Sequence, residues 1–566
     1  MAASLLLLLS ASLVAAQSVT DIRPSVSRPI PGTTSDVQRQ LDQRPQLDQT
    51  DPGVLPDDPT AREQLPLTGG TTLSFILSGI TFSQPSTVFD DDELAAIYES
   101  FIGTEVTIGS LREIANRIEQ FYREEGYLAT RVIIPQQTIE NGIASLEIFE
   151  GKIIYYEVNG DIGPVKEQIA ALMDNLLTDK PARWAELERY LLLARDLPGI
   201  SLTGTLRQAG DSAPGGVILV VDTARKPIDG FFNFQNRNPV PTGAFTATGG
   251  AAANSNTKYA ERVGAIALLA LEVPEQVSGQ AVYEQSLGND GVVFRIESGL
   301  SFSEPKDELE DLKLNAISTD VRAELEYPIV RSRGLSVWSR GGAFIADQRA
   351  STNGQEFFDD QLRGIYAGLR GLWFAPFSGI AEFDVELRRG FDHFGASKSS
   401  RGRSRPDSEA EYNLIRGDVA YTQPIGDVFE VYGKFGFQMS DVALNSYEEM
   451  ALGELTFGRG FEPGSITGER GFGATAEIRF APPGTDVEWI DQLQFYGFWD
   501  YGRVYDLGEP TGEEFEDLTS IGMGLRFQLF QSLLGNVYLA SPQSDALSTS
   551  VRKPNSTVKF TLTQFF

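Results

Sequence analysis

Leu493-Gln494-Phe495-Tyr496-Gly497-Phe498-Trp499-Asp500-Tyr501-Gly502 is the stretch that decides the fold. Along an extended strand successive side chains point to opposite faces. Leu493, Phe495, Gly497, Trp499 and Tyr501 therefore share one face, and Gln494, Tyr496, Phe498, Asp500 and Gly502 share the other. The first face suits lipid or a packed core, whereas the second carries a carboxylate. Working outward, Val321, Ala323, Leu325, Tyr327 and Ile329 form another one-sided set. After Arg225-Lys226-Pro227 no helical period survives, and short alternating runs separated by Gly, Asp, Asn and Ser continue to Phe566.

The longest uncharged apolar run past the N-terminus is VGAIALLAL, 263–271, about half of the roughly 20 residues that a membrane-spanning helix needs. A chain that crosses a bilayer without helices must close its strands into a barrel, because every backbone polar group needs a partner there. The expected fold is therefore an all-β transmembrane barrel over 227–566. At roughly 20 to 23 residues per tilted strand and its share of loop, this length predicts 15 to 17 strands, and the even-number rule gives sixteen antiparallel ones. Trp338, Trp373, Trp489 and Trp499 lie in this region, as interfacial girdles require. VGAIALLAL itself does not alternate. The C-terminus sets Val558, Phe560, Leu562, Gln564 and Phe566 on one register, and Phe560, Leu562 and the terminal Phe566 resemble the signal by which outer-membrane barrels are recognised for assembly.

Upstream the period changes. Between 71 and 151 a strand at 73–80 precedes a helix at 91–101, with Leu94, Ile97, Tyr98 and Phe101 on one face. A second helix is expected at 111–125, with Leu111, Ile114, Ala115, Ile118 and Phe121 or Tyr122 inward, a capping box of Ser110 and Glu113, and Gly126 as its stop. Strands at 128–134 and 143–150 follow, joined by a turn at Asn141-Gly142. The order β-α-α-β-β recurs over 152–226, with strands at 155–158, 200–207 and 216–222 and helices at 165–177 and 184–195. The expected architecture is thus two small α+β domains before a barrel.

Residues 1–16, MAASLLLLLSASLVAA, have the apolar core and small-residue end of a secretory signal peptide, although no Lys or Arg precedes the core. Residues 17–70 are rich in Pro, Gln, Asp and Thr and read as a linker, with a single candidate turn of helix at 35–41. The chain has no cysteine and one histidine, His393, in a polar stretch that reads as solvated. Disulfides, Cys or His metal clusters and Cys-His catalysis are excluded, and no phosphate-binding or cofactor fingerprint is present. No metal, no cofactor and no enzyme activity are expected. A net charge of −31 argues against a nucleic-acid partner.

TIGSLREIANRIEQFYREEGYLATRVIIPQQTIENGIASLEIFEGKI, 107–153, resembles the first polypeptide-transport-associated (POTRA) domain of two-partner secretion transporters, the haemolysin and filamentous-haemagglutinin type. Tyr327-Pro328-Ile329 with Arg331-Ser332, and the segment 448–480, are similar to the barrel of that family. The resemblance implies export of a large partner exoprotein, unfolded in the periplasm, through a monomeric outer-membrane barrel inserted in lipid by the barrel assembly machinery. It also implies a plug helix, for which 35–41 is the candidate, and a long extracellular loop folded into the barrel with a Val-Arg-Gly-Tyr/Phe tip. Gly458, Arg459, Gly460 and Phe461 match that tip, with Gly at the Val position, a change expected to loosen the backbone. The wall motif Phe-x-Asp-x-Gly is matched by Phe498, Asp500 and Gly502.

The alternation supports the pairing independently: if Trp499 and Tyr501 face lipid, Asp500 faces the lumen, where a carboxylate requires a cation, and Arg459 between glycines can supply a bidentate one. The unpaired reading is a solvated loop arginine. Strands 128–134 and 143–150 are candidate edges for docking an exoprotein by strand addition. A barrel-assembly insertase and a passive porin or receptor are the rival functions. The first usually carries more POTRA domains, and the second has no use for them.

Overall fold

The computed structural model describes residues 74–127, 129–210, 215–271, 275–397, 402–484, 487, 489–507, 514–544 and 555–566. The expected signal, linker and helix at 35–41 lie outside the described residues.

The first unit runs β1 (Ser74–Ile76), β2 (Gly79–Gln84), α1 (Asp91–Tyr98), β3 (Glu105–Thr107), α2 (Ile108–Glu124), β4 (Arg131–Ile133) and β5 (Ile143–Phe149). The single strand expected at 73–80 is divided, and β1 pairs with β3, a strand that alternation did not signal in three residues. Helix α2 buries Leu111, Ile114, Ala115, Ile118 and Tyr122, so its inner aromatic is Tyr122. Its capping box lies one turn earlier than expected. The Thr107 side chain accepts from the Ser110 amide at 3.3 Å, and Ser110 Oγ accepts from the Thr107 amide at 3.2 Å. Glu113 instead pairs with Arg117 one turn on, at 2.7 Å. β-branched Thr107 fits the extended cap backbone (φ −112°, ψ 174°) and so starts the helix. Gly126 ends it with φ +81°, and Asn141 and Gly142 turn with φ +54° and +73°.

Sheet order β2-β5-β4 leaves β4, within the expected 128–134, at an edge and corrects the assignment of 143–150. β5 pairs on both sides, parallel to β2 and antiparallel to β4, so 143–149 has no free edge to offer. The second unit comprises β6 (Lys152–Asn159), α3 (Lys166–Asp174), α4 (Trp184–Arg195), β7 (Ile200–Gln208) and β8 (Gly216–Arg225), with β8 central in the order β6-β8-β7. Its helices close over Leu219 and Val221 through Ile169, Leu172, Leu187 and Leu191.

The chain then enters β9 (Ile228–Gln235), β10 (Thr246–Asn254), β11 (Arg262–Ala270), β12 (Gln276–Leu287), β13 (Val292–Ser303), β14 (Asn315–Arg331), β15 (Leu335–Thr352) and β16 (Gln355–Ala375). It continues through β17 (Gly379–Gly390), β18 (Asn413–Ile425), β19 (Phe429–Ser440), a small hairpin β20 (Met450–Leu452) and β21 (Ile466–Gly468), β22 (Arg470–Phe480), β23 (Ile490–Asp506), β24 (Glu514–Leu529), β25 (Leu533–Pro542) and β26 (Thr557–Phe565). Strands β9–β19 and β22–β26 form a closed antiparallel barrel of sixteen, the number that chain length predicted, and β26 seals against β9. Val321, Leu325, Tyr327, Ile329, Phe495 and Trp499 are exposed on its outer face, whereas Tyr496, Phe498 and Asp500 are buried on the inner one.

VGAIALLAL lies in β11 except for its last residue, Leu271. Val263 and Leu269 face outward while Ile266 and Leu268 are buried inward. Ile266 packs with Phe231 over Gly250, which pairs with both, so the lumen face there is apolar and alternation disappears from the sequence. Trp338, Trp373 and Trp489 lie at strand ends on the side bearing the α+β units, but Trp499 is mid-strand, so the four do not make two girdles.

Helix α4 seats the second unit on the barrel rim. Arg189 donates to the Pro328 carbonyl at 3.0 Å and to Asp290 at 3.1 Å. Arg331 holds Asp196 with two bonds of 2.8 and 2.7 Å, and Glu188 accepts from the Arg333 amide at 2.9 Å. The Tyr327-Pro328 and Arg331 landmarks are thus the socket for this helix.

Candidate functional site: the loop inside the barrel

The loop 441–469 leaves β19, folds back against the inner wall and returns to β22. Its short β20–β21 ladder pairs Met450 with Gly468 and Leu452 with Ile466. Leu452, Phe457, Phe461 and Ile466 of the loop pack with Val504 of β23 and Leu518 of β24. The loop is therefore attached by an apolar core as well as by charge. Gly502 makes that core possible, because a Cβ there would lie 2.6 Å from Leu452 Cδ1.

At the tip, Arg459 donates to Asp500 three times: from its backbone amide at 2.9 Å, from Nε at 3.0 Å and from Nη2 at 2.7 Å. Its Nη1 donates to Glu477 of β22 at 2.5 Å, and its guanidinium carbon sits 3.6 Å from the centroid of the Phe498 ring. The local reason is strand geometry. Phe498 and Asp500 are two residues apart on β23 and so share the lumen face, one presenting a π-surface and the other a carboxylate. Thr475 and Ser520 stand beside Asp500 on the neighbouring strands and donate hydroxyls to it at 3.0 and 3.1 Å. Asp500 is completely buried and the Arg459 side chain is 14 % exposed, so the pair is a desolvated, geometrically saturated one.

Gly458 has a role other than loosening the backbone. Its φ is +108°, and a Cβ there would lie 2.3 Å from Leu518 Cδ1. Glycine permits the close approach that brings Arg459 to the wall, so the tip is tightly seated. Phe461 is buried and Gly460 lies against Ser520 and Pro542. All four tip residues and all three wall residues therefore meet in one place. Phe560, Leu562 and Phe566 lie elsewhere, on the β26–β9 seam, where the Phe566 carbonyl accepts from Gly230 N at 3.1 Å and its amide donates to Gly230 O at 3.0 Å.

Two carboxylates of the site, Glu477 and Glu454, were not read from the sequence. Glu477 also accepts from Arg479 at 2.8 Å and from Arg526 at 3.0 Å. It was legible only as an inward residue of the alternating run before Phe480. Glu454, fully buried, ties the loop to Arg237 at 2.7 Å and to the Tyr538 hydroxyl. Its partners lie 217 and 84 residues away, and no local pattern marks them. Among the described residues no group of His, Cys, Asp and Glu is placed to hold a metal ion.

Residues 75–151 match the family described as POTRA domain, ShlB-type, and residues 338–527 match haemolysin secretion/activation protein ShlB/FhaC/HecB. The chain is 21 % identical over 466 residues to the heme/hemopexin transporter protein HuxB of Haemophilus influenzae, covering 80 % of each. It is 22 % identical over 432 residues to the outer membrane transporter CdiB of Dickeya dadantii, covering 72 % of this chain and 73 % of that one. Among solved structures, CdiB from Escherichia coli superposes with a TM-score of 0.75 at 16 % identity, over 96 % of this chain and 100 % of that one. BamA from Haemophilus ducreyi lacking POTRA domains 1–3 gives 0.51 at 11 % identity, over 87 % and 100 %; at such identities the likeness speaks for the fold. With the loop, the barrel and the two α+β units before it, these matches identify the chain as an outer-membrane transporter of the two-partner secretion type, similar to the haemolysin secretion/activation (ShlB/FhaC/HecB) proteins, that translocates a partner exoprotein.

Proposed function

We propose that the loop 441–469 is the gate of the export conduit and that Arg459 is its lock. The observation that carries this reading is the saturated Arg459–Asp500–Glu477 contact on the inner wall. A loop held only by apolar packing would exchange readily, whereas one anchored by a buried bidentate ion pair has two discrete states, docked and free. Gly458, Gly460 and Phe461 fit the tip to the wall, and Phe498, Asp500 and Gly502 form its seat.

The unfolded exoprotein adds as a strand to an unpaired edge of the periplasmic units, β2 or β6, where main-chain bonds tolerate any sequence. The supporting features are that, among the described residues, no strand pairs with the outer side of either, and that Ile154 and Tyr155 of β6 are exposed. The protein works as a monomer, and Phe560, Leu562 and Phe566 present the register read by the barrel assembly machinery. Transport draws on folding of the exoprotein outside the cell, and activation of the cargo accompanies export.

The test is secretion of a candidate large exoprotein co-expressed with this protein, comparing wild type with Arg459→Ala at equal outer-membrane levels of heat-modifiable barrel. Lost secretion is expected, and wild-type secretion would remove Arg459 from the mechanism.

A further inference from the structure

The loop 441–469 is tied at a second place, far from Arg459, by a residue of another loop. Residues 402–412, between β17 and β18, lie over the end of the barrel opposite the α+β units. In this segment Arg405 is buried, with only 6 % of its side chain exposed. Its Nη1 donates to Glu449 at 2.9 Å and to Glu469, and its Nη2 donates to Asp407 at 3.0 Å and to Asp506 at 2.6 Å. Glu449 and Glu469 are the residues just outside the β20–β21 ladder, one on each leg of the loop, and both are buried. One guanidinium thus joins the two legs to each other and to the end of β23.

The neighbouring contacts show that this segment is a strap across the mouth. Ser404 N donates to Asp360 of β16 at 2.9 Å, while Arg405 reaches Asp506 of β23. In the order β16-β17-β18-β19-β22-β23 these walls are five steps apart, in a ring of sixteen where eight steps is the diameter. Two consecutive residues therefore bond to widely separated sides of the barrel, and the side chains of Asp360 and Arg405 complete the span on either side of the backbone. The strap also grips the loop directly. Ser446 N donates to Ser404 Oγ at 3.0 Å, and Glu409 N donates to the Ala443 carbonyl at 2.9 Å.

The chemistry requires an arginine here. Two buried carboxylates on adjacent legs repel strongly in a low-dielectric site. A planar fork with five donors can bond several carboxylates at once, whereas an ammonium is a single compact charge.

Resting on the reading of the loop as a gate, we propose that Arg405 is a positioning residue that closes the extracellular mouth by pinning both legs of the loop under the 402–412 strap, so that the gate has two ties, Arg459 at the tip and Arg405 at the stem.

The purified full-length protein in planar lipid bilayers with potassium chloride as the permeant salt gives the test. Arg405→Ala should raise the open fraction about tenfold or more, equivalent to about 1.4 kcal/mol of closed-state preference, and Arg405→Lys should fall between the two. Adding Glu449→Gln with Glu469→Gln to Arg405→Ala should restore closure by removing the repulsion; a channel that stays open with both carboxylates neutralised overturns the assignment. So does an assembled Arg405→Ala barrel with wild-type open fraction.

Should Arg405→Ala fail to assemble, the absence of cysteine in the chain permits a second variant, Ser404→Cys with Ser446→Cys, in an Arg459→Ala background. Oxidation should lower the open fraction about tenfold relative to the reduced protein, and identical values overturn the strap. The reduced protein, if no more open than wild type, instead counts against the Arg459 lock, which keeps the two readings separable.

Discussion

Replacing Arg459 by alanine removes the side-chain bonds to Asp500, the bond to Glu477 and the contact with the Phe498 ring. Leaving a buried charge without its partner costs about 3 to 5 kcal/mol. What remains decides where in that range the cost falls. Asp500 keeps the backbone amide of residue 459 and the hydroxyls of Thr475 and Ser520, and Glu477 keeps Arg479 and Arg526. Glu477 stays compensated, and only Asp500 loses its cation, so about 3 kcal/mol is expected. That figure raises the undocked population about 150-fold. Hydrogen exchange of peptides covering 450–468 in the detergent-solubilised protein, normalised to strand peptides of β23 and β24, reads this directly. Asp500→Asn should have a smaller effect, about tenfold, since Arg459 retains Glu477. Exchange of the loop within about threefold of wild type in Arg459→Ala would refute the reasoning and would mean that Glu454 with Arg237 and the apolar core around Leu452 and Phe457 hold the loop by themselves.

Gly458→Val should destabilise the docked loop by about 2 to 4 kcal/mol, from the left-handed backbone and the contact with Leu518; the same exchange experiment detects it, and Leu518→Ala in combination should recover part of the loss. Arg189→Ala should loosen the second α+β unit on the rim, because the Pro328 carbonyl, Asp290 and the Tyr327 ring all lose their contact. Spin-label distances between α4 and the β14–β15 turn should broaden, and an unchanged distribution would place the docking energy elsewhere. Ile154→Pro targets the free edge of β6 at the residue that has no partner on β8. Secretion should fall while the amount of assembled barrel stays at the wild-type level, and full secretion would sink the strand-addition route through β6.

The sequence alone determined the broad architecture, because the signals involved are periodic and local. A two-residue alternation such as that of Leu493 to Gly502 records which face meets lipid, and the length of chain carrying it limits the number of strands to the sixteen that close. The helical face of Leu111, Ile114, Ala115 and Ile118, the turn at Asn141-Gly142 and the lumen-facing register of Asp500 follow from the same logic. Alternation was lost where the lumen itself is apolar, as at Ile266 over Gly250, since pattern reading assumes that the inward face is polar.

Tertiary structure alone decided what lies opposite what. Only sheet order shows that β5 is central and β6 an edge, as pairing partners are not written in a strand's own residues. Only the folded loop turns Gly458 from an apparent source of looseness into a point of close approach, because the obstructing Leu518 lies 60 positions away in the chain. Glu477, Glu454 and Arg405 are ordinary charged residues in sequence. Their meaning comes from being brought, across tens to hundreds of residues, into a barrel interior where a charge persists only beside its opposite.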